Sequence, residues 1–512
     1  MTLEKFNLQF ARVRGAARVF RADVNAIEWI TACRQVNERG GRLVALWGSE
    51  RAPGFAVHAA LADADGLLVL ILPVPQDRPS YPGIEGIFPV AGRMQRAAYD
   101  MLGIEAQGDD DRRPWLRHAA WPSDKFPLRD DFDRACIYEP GTDDYPFVSV
   151  AGDGVHEIPV GPVHAGTIEP GHFRFSIIGE RVLRLEERLG YKHKGIEKRF
   201  AGMSLDEGAR LAARVSGDST VAYGWAYAMA AESACGAMPP PRAAWLRALL
   251  LERERIANHL GDLGFIGNDA GLAFGLAQFS LLKEDMLRLN AELFGHRYLM
   301  DAIVPGGVAR DIAQSGMERV RVEADQLTET VALLKNIYDE HPGLQDRFIA
   351  CGRVTPELAA RLGLVGLAGR ASAQALDLRE QFPVEPYDQL DVQMATHRNG
   401  DVAARVTVRF EEVFESLRLI RQILELIPLG QTRAALPATA AGAFGLGIIE
   451  GWRGEVLVAL ETGANGAIAR CHAHDPSWQN WPVIEHAVID NIVPDFPLIN
   501  KSFNLSYSGQ DL

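Results

Sequence analysis

The sequence predicts an α+β domain over residues 1–140, a linker over 141–160, and a mainly α domain with small peripheral β-sheets over 161–512. Three observations predict this. A helical pattern and three strand-like runs fill the start of the chain. Gly, Asp and Pro then crowd the segment beginning at Gly141, as expected of a connector. Beyond it, apolar residues recur at helical spacing over several long stretches.

In chain order, Val24 to Arg39 carries a helical pattern. Arg42 to Trp47, Phe55 to Leu61 and Leu67 to Leu72 read as strands rich in β-branched and aliphatic residues. A Pro/Gly-rich stretch from Pro73 to Pro89 follows, then a helix from Gly92 to Leu102. Asp109 to Arg113 reads as a charged, solvated turn. In the second part, helices are expected at Ser204–Ser233, Pro241–Leu260, Met317–Tyr338 and Phe410–Ile427. Trp245, Leu246, Leu249, Leu250, Ile256 and Leu260 share a broad apolar face, leaving Arg247, Glu252 and Glu254 largely outside it. Phe444 to Leu460, with four glycines, reads as a hairpin or small sheet. Those glycines lack the strand–GxGxxG–helix setting of a dinucleotide site.

Composition narrows the function classes. Hydrophobic residues make up 47% and charged residues 23% of the chain, ordinary values for a globular enzyme. The formal net charge of −14 argues against nucleic acid or anionic lipid as the main partner. The longest apolar run, Leu67 to Val74, is broken by Pro73 and falls far short of the ~20 residues that span a bilayer. The N-terminus lacks the basic and apolar regions of a secretory signal, so membrane association is expected through partners. Five scattered cysteines, Cys33, Cys136, Cys235, Cys351 and Cys471, form no CxxC and fit a reducing compartment. Cys471-His-Ala-His-Asp475 places His472 and His474 on one strand face, read either as surface or core histidines or as part of a metal site.

Ordered motifs carry a family resemblance. Arg93 to Ile104, Arg112-Arg-Pro-Trp115 and Phe126-Pro-Leu-Arg-Asp130 resemble the 30-kilodalton-type subunit of respiratory complex I, with Gln95 and Ala97 replacing acidic residues. Residues 156 to 512 resemble the large subunits of membrane-bound nickel–iron hydrogenases, above all formate hydrogenlyase large subunits and the homologous quinone-site subunit of complex I. Gly161-Pro-Val-His164, Glu169-Pro-Gly-His-Phe-Arg174, Tyr191-Lys-His-Lys-Gly-Ile-Glu-Lys198, Pro305 to Asp311, Gly369-Arg-Ala-Ser372 and Pro386-Tyr-Asp388 supply the matching landmarks. The resemblance implies a nickel–iron hydrogenase large-subunit-like fold for the second domain.

The departures are chemical. Arg214-Val-Ser-Gly-Asp-Ser-Thr-Val-Ala-Tyr223 is similar to R-x-C-G-x-C-x-x-x-H, with Ser216 and Ser219 at the cysteines and Tyr223 at the histidine. Near the C-terminus, Asn504, Ser506 and Gly509 stand at the Asp and two cysteines of D-P-C-x-x-C. A nickel–iron pair needs soft thiolates, so no hydrogenase metal is expected at Ser216, Ser219, Ser506 and Gly509. In complex I relatives that lost these thiolates, the vacated pocket receives a quinone headgroup. The pocket candidates are His164, Glu169, Ser216, Ser219, Tyr223, Ser506 and Tyr507, with Glu197 and Asp218 for proton transfer.

Each candidate has a structural alternative. Asp218 either is a buried carboxylate of raised pKa or caps a helix or pairs with Arg214. The family's counterpart of Glu197 passes protons from the metal; alternatively Glu197 pairs with Lys194, Lys198 or Arg199. His164 is either a donor to a ligand or a satisfied strand histidine, and Tyr223 either lines the pocket or belongs to the core. Arg370 and Asp377 are expected to form a buried structural pair.

The resemblance implies a peripheral subunit of an NADH- or ferredoxin:quinone-type complex on the cytoplasmic face of the membrane. Its expected partners are a small iron–sulfur subunit, a ferredoxin-like iron–sulfur subunit and antiporter-like membrane subunits, with no nucleic acid. This chain would bind no cofactor of its own apart from a quinone or other acceptor, with iron–sulfur clusters in the partners. The alternative is a non-catalytic scaffold coupling partner conformations to an ion transporter.

Overall fold

The computed structural model describes residues 5–133, 135–165 and 168–512. Its first layer is a five-stranded sheet of β1 (Ala11–Arg12), β2 (Val19–Asp23), β3 (Arg42–Arg51), β4 (Gly54–Asp63) and β5 (Gly66–Val74), in the order β1-β2-β5-β4-β3. The β2–β5 pair is parallel and the other pairs are antiparallel. α1 (Ala26–Glu38) connects β2 to β3, and its start is fixed by a capping box between Asn25 and Glu28. Strands β3 to β5 are buried almost throughout, which is why they read as continuous apolar runs rather than alternating ones.

α2 (Ala91–Leu102) packs on β3 and holds the following loop. Its Asp100 Oδ2 accepts hydrogen bonds from the Trp115 and Leu116 amides at 2.6 and 2.7 Å. The expectation of a solvated turn at Asp109–Arg113 is corrected here. Asp109 bonds Gln95, and Arg113 bridges Asp111, the Pro146 carbonyl and Glu186. The loop thus ties α2 to the sheet of β6 (Val155–Val160), β7 (His172–Ile178) and β8 (Arg181–Arg188).

The predicted helix over Ser204–Ser233 is two helices, α4 (Leu205–Ala212) and α5 (Thr220–Cys235), after the short α3 (Ile196–Phe200). The break falls at Ala213–Ser219, where Ser, Gly and Asp favour local side-chain bonds over helix. Thr220 Oγ1 donates to the Ala213 carbonyl at 2.9 Å, and the Glu254 carboxylate accepts from the Val221 and Ala222 amides at 2.6 and 3.1 Å. Carboxyl oxygens placed at a helix N-terminus satisfy otherwise orphaned amides.

Glu254 belongs to α6 (Pro241–Asp269), which is buried all round, so the expected polar face is corrected too. Arg247 pairs with Glu232, Arg253 with Glu323, and Glu252 with Arg379. Ion pairing lets a charged face enter a core that apolar periodicity alone would exclude. Around α6 stand α7 (Ala273–Phe294), α8 (Gln314–Glu340) and α9 (Val402–Leu426). Arg370, fully buried, pairs with Glu412 and Glu450 at 2.7 Å each and lies 3.7 Å from Asp377.

The last sheet is β9 (Phe444–Glu450), β10 (Glu455–Thr462) and β11 (Ile468–His474). Its glycines serve packing: a Cβ on Gly445 or Gly447 would meet the Ala230 or Ala226 carbonyl of α5 at 2.0 Å. α10 (Ser477–Ala487), α11 (Phe496–Phe503) and α12 (Tyr507–Asp511) close the chain. The β3 edge is covered by this part. Arg470 donates to the Gly48 carbonyl, and the Trp47 ring lies between His58 and His472, each stacked at 4.9 Å. Among the described residues, no helix is long and apolar enough to cross a membrane.

Candidate functional site

Three separate segments meet beside α6: the Ala213–Ser219 turn, the Gly451–Gly454 turn, and the start of α12. Ser216 and Ser506 share a hydrogen bond at 2.9 Å, and Ser216 Oγ donates to Asp218 Oδ1 at 2.8 Å. Ser506 caps α12, accepting from the Gly509 amide at 2.8 Å. Ser219 Oγ accepts from Arg453 at 3.2 Å. The four positions paired by resemblance with thiolates therefore sit together.

Arg453 organises them. Its two terminal nitrogens donate to Asp218 at 2.9 and 2.6 Å, its Nε donates to the Asn504 carbonyl, and its plane lies 3.9 Å from the Trp452 ring centre. Asp475 lies behind, accepting from the Tyr223 hydroxyl and from the Ser477 amide at 2.9 Å each.

The electrostatics favour the paired reading of Asp218 over the raised-pKa one, with Arg453 in place of Arg214 as the partner. Burial raises its pKa, but the Arg453 charge and the bonds from Arg453 and Ser216 outweigh that and hold it below the usual carboxylate range. Asp218 is therefore an ionised partner of Arg453, whereas Arg214 pairs with Asp301 at 2.6 Å. Burial holds Asp475 above the carboxylate range, with Arg453 and Ser477 opposing it, and pushes Glu254 up to about 8.

The segments open onto a cleft of about 680 Å³ lined by Glu169, Ser216, Asp218, Arg453, Ser506 and Tyr507, among others. Glu169 accepts from the Ser508 amide at 3.0 Å. Tyr507 is 6% exposed and packs against Trp481. Four expected residues lie off the cleft wall, the first being Ser219, buried behind Arg453. His164 bonds the Gly171 carbonyl at 2.8 Å and packs on Phe173, outside the cleft wall. Tyr223 lies in the core, reaching the site through Asp475.

Glu197 lines a separate small cavity with Trp47, His472 and Trp478, against the N-terminal sheet. It pairs with Arg470 at 2.9 Å and His472 at 2.7 Å rather than with Lys194, Lys198 or Arg199. Burial raises its pKa, yet Arg470 and then His472 bring it down to about 2. Burial also keeps His472 neutral, so its Nδ1–H donates to Glu197 and Arg470 is the charge that matters. An acid held at that value fastens a seam and carries no proton at neutral pH. His474 bonds Gln479 at 3.0 Å, and among the described residues no three His, Cys, Asp or Glu side chains form a metal-binding group.

Arg453 and Asp475 are the site residues that sequence reasoning missed. Arg453, in a glycine turn, reads as a solvent-exposed charge, while Asp475 follows a triplet that draws attention to its histidines. A thiolate-held nickel–iron pair does not fit these residues. The hydroxyls bond one another, a guanidinium lies against Asp218 and Ser219, and a Cβ on Gly509 would meet Asp475 Oδ2 at 2.3 Å.

Fold and site together define a hydrogenase-like large subunit joined to an α+β module, and the comparisons agree. Residues 19–136 match the model of the 30 Kd subunit of respiratory-chain NADH dehydrogenase, and residues 269–443 match that of its 49 Kd subunit. The chain is 31% identical to formate hydrogenlyase subunit 5 of Escherichia coli (strain K12), covering 93% of this chain and 85% of that one. It is 32% identical to hydrogenase-4 component G of the same strain, covering 89% and 81%. The fused C/D protein of NADH-quinone oxidoreductase from Phocaeicola vulgatus is 27% identical over 81% of this chain and 84% of that relative. The fold also matches a chain in the structure of an archaeal membrane-bound sulfane sulfur reductase, with a TM-score of 0.66, 24% identity and coverage of 71% of this chain and 100% of that one. The chain belongs to the family of formate hydrogenlyase subunit 5 and hydrogenase-4 component G, which is related to the C/D proteins of NADH-quinone oxidoreductase.

Proposed function

We propose that this chain is a peripheral-arm subunit of a membrane-bound oxidoreductase complex of the complex I and formate hydrogenlyase type, on the cytoplasmic face. Electrons would reach the cleft from a cluster in an adjacent small iron–sulfur subunit, itself supplied by a ferredoxin-like one. They would pass to a quinone or another small acceptor. Antiporter-like membrane subunits would couple this step to ion translocation, and nickel chemistry has no part in it.

The observation that carries this reading is that Ser216 and Ser506 meet on the wall of one cleft with the Arg453–Asp218 pair, while Ser219 and Gly509 stand behind them, bonded to Arg453 and Ser506. The shell of the family is kept while its donor atoms are exchanged for hydroxyls and charges. In this arrangement the Arg453–Asp218 pair and Ser216 form the floor on which a ligand rests, and Asp475, with its raised pKa, is the buried acid behind them.

The test is acceptor reduction by the purified complex, using a soluble naphthoquinone and a low-potential donor. Ser216→Ala and Asp218→Asn should lower turnover by about tenfold, roughly 1.4 kcal/mol of lost stabilisation each. Turnover insensitive to both would favour the scaffold alternative, in which this chain couples partner conformations to a transporter without chemistry of its own.

A further inference from the structure

We infer that Lys283 is the ligand-recognising cation of the cleft, and that the ligand it takes is a small organic anion bearing oxygen acceptors. This rests on the cleft being a ligand site, as proposed above.

The charges of the cleft point to Lys283 by difference. Arg453 is committed to Asp218, and Lys501 lies 2.7 Å from Asp269. Among the acids, Asp262 accepts from Arg409 at 2.9 Å and from Asn504 at 2.6 Å, while Glu169 accepts from the Ser508 amide and lies 3.7 Å from Lys192. Lys283, on α7, also lines the cleft and has no partner among the described residues.

Two further observations say that the position is built for a ligand. Tyr507, nine-tenths buried in the same wall, lies near Asn500, yet its hydroxyl forms no hydrogen bond of normal geometry. A buried donor left without an acceptor is costly, and a ligand oxygen would remove that cost. The Lys283 stem is also seated against α6. A Cβ on Gly261 would meet its Nζ at 2.7 Å and its Cδ at 3.3 Å. Glycine inside a helix costs about 1 kcal/mol relative to alanine, and here it makes the groove for the ammonium.

An anion supplies the counter-charge that Lys283 lacks, in a cleft whose size suits a small organic molecule and whose wall also carries the Tyr507 hydroxyl. A neutral quinone needs donors but no cation, so charge separates the two classes. The experiment titrates the purified full chain with 1,4-naphthoquinone-2-sulfonate and with uncharged 2-methyl-1,4-naphthoquinone, following tryptophan fluorescence. The sulfonate should bind more tightly, and more weakly as salt is raised. Lys283→Met should weaken sulfonate binding by about tenfold while changing the uncharged probe by less than about twofold. Gly261→Ala, which displaces the ammonium without removing it, should act in the same direction. Both variants should keep the wild-type melting temperature to within a few degrees, since Lys283 is only half-buried and its flexible end can give way at Gly261. If Lys283→Met leaves sulfonate binding unchanged, the inference fails while the ligand site stands. If neither probe binds the wild-type chain, the ligand site itself fails.

Discussion

Ser216 and Ser506 lie 290 residues apart in the chain and 2.9 Å apart in space. The bond joins the turn before α5 to the cap of α12, so it locks the C-terminal segment onto the helical core. Ser216→Ala and Ser506→Ala should each cost about 1 kcal/mol. A double-mutant cycle by denaturant unfolding should return a coupling of about 0.5–1.5 kcal/mol between them. Strict additivity would mean that the two hydroxyls do not interact in solution.

Arg453→Met removes the charge that holds Asp218. Loss of one partner from a fully buried pair costs about 3–5 kcal/mol. Asp218 is 39% exposed towards the cleft and can be rehydrated, so the expected loss is smaller, about 2 kcal/mol. The Asp218 carboxyl should titrate nearer the ordinary range in that variant, measured by carbon-detected NMR of labelled aspartate. An unchanged titration would show that Arg453 is not its counter-charge.

The helical core and the two motif-bearing turns are legible in the sequence because apolar periodicity and motif order report local structure. The break at Ala213–Ser219 is not, since Ser-Gly-Asp-Ser breaks a helix only once Thr220 and Glu254 supply bonds from outside it. Arg247, Glu252 and Glu254 mislead for the opposite reason: their partners Glu232, Arg379 and the α5 amides lie on other elements. Glu197 invites pairing with its near neighbours, whereas Arg470 and His472 reach it from a strand more than two hundred residues away. Pairing across the fold decides the fate of a charge, and no single segment encodes it.

The seam around Trp47 should be acid-labile. Burial lowers His58 and His474 from 6.5 to about 3, with Arg470 and His472 respectively adding to the effect. A depressed folded pKa gives stability above the unfolded value that is lost as the pH falls. The histidines therefore start to weaken the seam below pH 6.5. Glu197, lowered from 4.5 to about 2, adds a loss on the order of 3 kcal/mol between those values. Melting temperature measured from pH 7 to 3 should fall steadily, and His58→Gln with His474→Gln should flatten its upper part. A melting temperature constant from pH 6.5 to 4 would refute the assignment.

Arg370→Met should be among the most damaging substitutions in the chain. It removes the close counter-charge of Glu412 and Glu450 in a dry interior, although His259 still bonds Glu412 at 2.8 Å and Arg379 still pairs with Asp377 at 2.7 Å. A loss of about 3–5 kcal/mol is expected, seen as a lower denaturation midpoint and poor soluble yield. Wild-type stability of this variant would show that the network is not ionised as described.

The central claim is that hydroxyls, an arginine and an aspartate fill the place where the resemblance sets the thiolates of a metal pair. Elemental analysis of the complex purified from its own cells measures that most directly. The account predicts iron in keeping with iron–sulfur partners and no stoichiometric nickel. One nickel per chain, lost on substituting Ser216 or Ser506, would contradict it.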